Sequence, residues 1–156
     1  MKNSSEKGIT LTTLVITIIV IAIIASVSVY VGTDIIKQAN LQNVNTNMML
    51  IQAKVKTISE QAKFNKDTSN YKGKKLIEVV GNKKIDELVS NNIIEDQEKY
   101  YLLSQDDLNE MGFEKIQIED GYIVNYDTNE IIYVKGFEAN KQTYYKLSEM
   151  KDLKLE

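Results

Sequence analysis

Carboxylates, lysines, tyrosines and hydroxyls are the only groups with which this chain could do chemistry. Its 156 residues include no histidine, cysteine, tryptophan or proline, and all 19 basic residues are lysine. Without histidine the usual general base and the commonest zinc ligand are missing. Without cysteine there is no thiol nucleophile, thiolate metal site or disulfide. Without arginine there is no planar fork for bidentate recognition of phosphate or carboxylate. The acidic pairs are Asp106/Asp107 and Glu119/Asp120. Adjacent residues of a helix or strand point in different directions, so neither pair converges on one substrate atom. Helix capping accounts for the first pair, and a turn ahead of a hairpin for the second. Asp120, Asp127 and Glu130 are the oxygen set to weigh against calcium, which takes about six to eight oxygen ligands. No loop has the dense alternation of acids that a calcium loop needs. The expectation is no enzyme, no cofactor and no resident metal.

Nine tyrosines are the other conspicuous feature. Tyr100/Tyr101 and Tyr144/Tyr145 are doublets, and alternation places Tyr122 and Tyr126 on one face with Val124. Two uses are open: aromatic packing across a sheet, or an exposed adhesive face for a partner. The lysine pairs Lys74/Lys75 and Lys83/Lys84 read as solvated loop charges. With 19 basic against 22 acidic residues the formal charge is −3, so no nucleic-acid partner is expected.

Residues Ile9–Val31 hold no charge and are rich in Ile and Val. Strand propensity is overruled by length, because strands rarely exceed about 10 residues. As a helix the run covers about 34 Å, enough for a bilayer core of about 30 Å. Lys2 and Lys7 ahead of it place the N-terminus in the cytosol and residues 32–156 outside. Three readings compete for the run: a cleaved secretory signal, for which the apolar core is too long, a plain signal-anchor, and a third that depends on the junction.

That junction reads Lys7-Gly8-Ile9-Thr10-Leu11-Thr12-Thr13-Leu14-Val15. It resembles the class III signal of type IV pilins and type II secretion pseudopilins. The resemblance implies cleavage by a prepilin peptidase between Gly8 and Ile9, methylation of the new amine on Ile9, and retention of the apolar run. Two positions depart from the family. Its first mature residue is usually aromatic or Met, and its fifth is usually glutamate; here they are Ile9 and Thr13. In the family that glutamate meets the N-terminal ammonium of a neighbouring subunit. A buried ammonium with no counter-charge costs several kcal/mol. Thr13 accepts a hydrogen bond but cannot neutralise charge, and Thr10 and Thr12 could add acceptors. The departure implies a minor or tip subunit rather than the major repeating pilin.

Beyond Asp34 the residues Leu41, Val44, Met48, Ile51, Val55, Ile58 and Ala62 recur three and four apart, an apolar helical stripe. A homodimeric coiled coil could use it, but the flanking Glu/Lys pairs that set partner choice are missing. The reading favoured is one helix from about Ile9 to Phe64 that lays its rear stripe on a globular head.

In the head, Asn65–Lys75 reads as a loop and Lys83–Asn91 as a short helix. A further short helix starts at the Ser104 cap and stops at Gly112. Tyr122–Tyr126 and Ile131–Val134 flank the polar turn Asp127-Thr128-Asn129-Glu130 as a hairpin. Ile116–Ile118 and Thr143–Leu147 are candidate outer strands of a three- or four-stranded sheet. The segment YIVNYDTNEIIYVKG also resembles the C-terminal hairpin of small pilin-like proteins from low-GC Gram-positive bacteria.

The expected fold class is α+β: a long helix, membrane-spanning in front and amphipathic behind, packed on a small antiparallel sheet with short helices. The expected division is a leader at 1–8, the membrane and assembly half of the helix at 9–31, its amphipathic half at 32–64 and an extracellular head at 65–156. The resemblance implies a structural subunit of a pilus or pseudopilus. Its partners would be the membrane, the prepilin peptidase, other pilin subunits and the assembly machinery. The alternative is a single-span anchored extracellular binding protein that does not assemble.

Overall fold

The computed structural model describes residues 11–117 and 121–155, without the side chains of 12, 13 and 23–33. The chain is α+β. Helix α1 covers Leu11–Asn65. Strand β1 is Lys74–Lys75, followed by a 3-10 turn at Leu76–Glu78 and helix α2 at Lys83–Ser90. Strand β2 is Tyr100–Leu103, helix α3 Gln105–Glu110, and strand β3 Tyr122–Asn125. Strand β4 is Ile131–Ala139, strand β5 Gln142–Lys146, and helix α4 Leu147–Met150. Two compact units divide within α1, at 1–39 and 40–156.

In the first unit α1 runs without a break through Gly32, and the chain has no proline to kink it. Its described large apolar side chains from Leu14 to Ile21 are 46–60% exposed. Among the described residues no helix is long and apolar enough to cross a membrane. Of the uncharged run, Ile9, Thr10 and the side chains of 12, 13 and 23–31 lie outside the described residues.

In the second unit the stripe does what its period requires. Leu41, Met48, Ile51, Val55, Ile58 and Ala62 are buried, and Val44 is half-buried against the same core. That core takes one face of the sheet, including Tyr122, Val124, Tyr126 and Ile131. The stripe is consumed within its own chain, which removes the coiled-coil alternative. Helix α1 ends in a Schellman-type turn: Lys66 takes φ +54° and the Asp67 N–H bonds the Ala62 carbonyl at 3.1 Å.

The sheet has five antiparallel strands in the order β1-β2-β3-β4-β5. The hairpin forms in the register Tyr122↔Tyr133, Ile123↔Ile132, Val124↔Ile131. Two strands exceed expectation. Lys74 and Lys75, expected in a loop, pair with Leu102 and Tyr101 as a short edge strand. Gly73 just before them takes φ +94°, and a Cβ there would sit 2.8 Å from the Leu102 carbonyl oxygen, so only glycine lets the chain enter the edge. β2 itself was expected from no pattern, because Tyr-Tyr-Leu-Leu does not alternate. The candidate strand at Ile116–Ile118 does not form at Ile116 and Gln117, and Ile118 lies outside the described residues. Ile116 is buried in the main core instead.

The sheet is covered on both faces. Ile123, Ile132 and Val134 pack with Leu76, Ile85, Leu88 and Ile94 in a second, smaller core. All four residues of β3 are buried in consequence. Helix α2 is amphipathic, capped by Asn82 accepting from the Ile85 N–H at 3.4 Å. Helix α3 starts as expected in a reciprocal capping box between Ser104 and Asp107.

Candidate functional site

The residues that a prepilin signal would use, Gly8 and Ile9, lie outside the described residues, and so do the side chains of Thr12 and Thr13. What is described of that region is an exposed apolar helix surface. Seven large side chains between Leu14 and Ile21 point outward all round, and Ile35 and Ile36 are each 61% exposed. A surface of this kind has no chemistry except exclusion from water. It suits lipid or other helices.

Among the described residues the carboxylates do not converge, and Glu119 and Asp120 lie outside them. Asp107 accepts the Ser104 N–H at 2.8 Å and its hydroxyl at 2.6 Å, and its other oxygen accepts the Gly73 N–H at 3.2 Å. It caps one helix and clamps the entry to β1. Asp106 is exposed in the first turn of α3. Of the calcium set, Glu119's neighbour Asp120 lies outside the described residues, Asp127 is exposed in the hairpin turn, and Glu130 accepts the Ser148 hydroxyl at 3.0 Å. Among the described residues no group of three acids could hold a metal ion.

The eight tyrosines of the head pack on its two cores, and the side chain of Tyr30 lies outside the described residues. Tyr71 and Tyr126 stack with centroids 3.9 Å apart, and Tyr101 meets both edge-on. The Tyr126 hydroxyl accepts the Lys72 N–H at 2.8 Å and donates to the Lys72 carbonyl at 3.0 Å. The buried Ser59 hydroxyl donates to the Tyr126 carbonyl at 2.6 Å, and the Gln52 amide donates to the Asn129 carbonyl at 2.9 Å. Helix α1 is thereby stitched to the hairpin turn. That turn is shaped by Asn125, whose Oδ1 accepts the N–H groups of Asp127 and Thr128. Burial pushes the hydroxyls of Tyr122 and Tyr126 up to about 12. These groups hold the head together.

A groove of about 650 Å³ opens elsewhere on the head, between α1 and β4. Its helix wall carries Asn40, Asn43 and Asn47, three and four residues apart and so on one face. Its floor is the stacked pair Tyr122/Tyr133, centroids 5.4 Å apart, with Phe137 beside it. Asn47 hydrogen-bonds Tyr122. Gln117 closes one side, and Lys135 and Glu138 stand on the strand wall. Gly136 lies between them at φ +73° where the β4–β5 register slips; a Cβ there would stand 2.5 Å from Thr143 Cγ2. Asn43 and Asn47 fall between stripe positions and Asn40 just ahead of the first, where polar residues read in sequence as a solvated face. The available signal was their cluster: four asparagines within Asn40–Asn47, where each is up to about 0.7 kcal/mol less favourable than alanine.

The chain matches no protein-family model, no curated protein and no solved structure.

Proposed function

We propose that this chain is a pilin-like or pseudopilin subunit. It is cut after Gly8 by a prepilin peptidase, methylated on Ile9, and built through its N-terminal helix into a type IV pilus or a type II secretion-type pseudopilus. The observation that carries this reading is the junction Lys7-Gly8-Ile9 placed directly before an uncharged run to Val31. The helix that follows supports it. Its rear stripe is consumed by the head, whereas the described large apolar side chains of its front, Leu14 to Ile21, stand about half exposed and enter neither core. Before assembly the front rests in lipid, with the head outside the cell. On assembly it exchanges lipid for neighbouring helices. That exchange yields no hydrophobic gain, so close packing and an energised assembly machine must drive it. Thr13 in place of the family's glutamate favours a minor or tip subunit, and it also keeps alive a second reading, a single-span anchor that never assembles.

The test compares the wild-type chain with Gly8→Val in the native host. Proposed processing and assembly give a shortened wild-type chain in the filament fraction sheared from cells, and a full-length variant retained in the membrane. Equal length and equal membrane retention of both would refute the proposal in favour of the plain anchor.

A further inference from the structure

We infer that the groove between α1 and β4 is a binding site for a neutral saccharide. The inference stands apart from the filament reading and uses none of its residues. Three features point to this ligand class. First, the wall is made of carboxamides. Asn40, Asn43 and Gln117 are exposed at the groove, and each offers a fixed, planar pair of donor and acceptor, which matches the adjacent hydroxyls of a sugar ring. Second, the floor is aromatic but only partly covered. Tyr133 and Phe137 are half-buried, leaving ring surface on which the apolar C–H face of a pyranose can lie. Third, the formal charges cancel among the described lining residues. Lys135 and Glu138 on one wall have opposite signs, so this lining favours neither an anion nor a cation.

The helix wall adds an independent argument. Asparagine is among the poorer helix formers, yet three stand on this one face of α1 where alanine, glutamine or lysine would serve a solvated surface better. Of the three, only Asn47 is accounted for by the fold among the described residues, through Tyr122. Local choices that oppose their own secondary structure mark places shaped for something else. The volume of about 650 Å³ lies within the roughly 300–1,000 Å³ of small-ligand sites and admits a disaccharide.

The experiment is an amide chemical-shift titration of the full chain in phosphocholine micelles, which carry no sugar headgroup. The probes are maltose, cellobiose, lactose and N,N′-diacetylchitobiose, each raised to about 10 mM. At least one is expected to shift Asn40, Asn43, Gln117 and Phe137 with a Kd near about 1 mM or tighter. Asn43→Ala should weaken that binding by at least about tenfold. The same variant should melt no lower than wild type, because alanine favours the helix, so loss of binding cannot be laid to unfolding. The inference is overturned if no probe shifts the groove, or if binding survives Asn43→Ala and Phe137→Ala. It is also overturned if the groove residues shift with protein concentration alone, which would assign the surface to a second copy of the chain.

Discussion

Between Leu14 and Ile21 of α1, seven large apolar side chains stand about half exposed; between Leu41 and Ala62 of the same helix, six of seven stripe residues are buried. The front positions are apolar at every angle, so no single neighbour could cover them. The rear positions are apolar on one line, and the sheet with the short helices α3 and α4 covers it. Apolar content therefore says how much surface must leave water, and its angular distribution says whether the chain itself can supply the cover. The rear half specifies an intramolecular core. The front half specifies an environment.

Four outcomes would break or sharpen that contrast. The largest is expected for Ile51→Ala, at a position with no solvent exposure. Truncating a buried isoleucine costs about 2–5 kcal/mol. The head should melt lower by about 10 °C, seen by circular dichroism, while membrane retention stays unchanged. The mirror experiment is Ile19→Lys, near the middle of the uncharged run. A lysine at the centre of a span costs about 2.5–3.5 kcal/mol. Fractionation should find the chain shifted out of the membrane, with the melting of the head unaltered. If either variant moved both readouts together, the two halves would not be independent.

The third outcome is confined to the head. Burial raises the hydroxyls of Tyr122 and Tyr126 to about 12, chiefly because the charged form would lose its water. An unfolded tyrosine ionises near about 10. The stability tied to these protonated hydroxyls is fully present below about pH 10 and is lost as pH rises towards about 12. Melting temperature should be insensitive to these groups between neutrality and pH 9, then fall steeply. Tyr126→Phe should flatten part of that fall. The smallest effect is expected for Ser104→Ala, which removes the α3 cap at about 1 kcal/mol. Chemical denaturation should show a reduced midpoint with an unchanged slope.

The elements legible in the sequence were those written in a repeating period or a local side-chain device. The stripe of α1 declared itself by 3.6-residue spacing, the hairpin by two β-rich runs about a polar turn, and α3 by Ser104 and Asp107. The misses share a physical cause. β1 is two lysines long and exists only because Gly73 brings the chain against β2. β2 is buried on alternate faces by two different cores, so it shows no alternation of apolar with polar. The second core under α2 follows from that same arrangement. The tyrosine face was legible as a face, but only the fold decides that it turns inward. The groove was least legible of all. Asn40 and Asn43 lie on α1, Phe137 on β4 and Gln117 on the chain ahead of β3, so no window of sequence contains the site.

The central claim is that the front of α1 is matured for assembly, and one measurement tests it most directly. The intact mass and N-terminal residue of the chain, recovered from the membrane and sheared-surface fractions of its native host, report on cleavage and methylation together. The expected result is a chain that begins at Ile9 and carries one added methyl group. A chain that still begins at Met1, with no methyl group, would contradict the claim and leave α1 as a simple anchor.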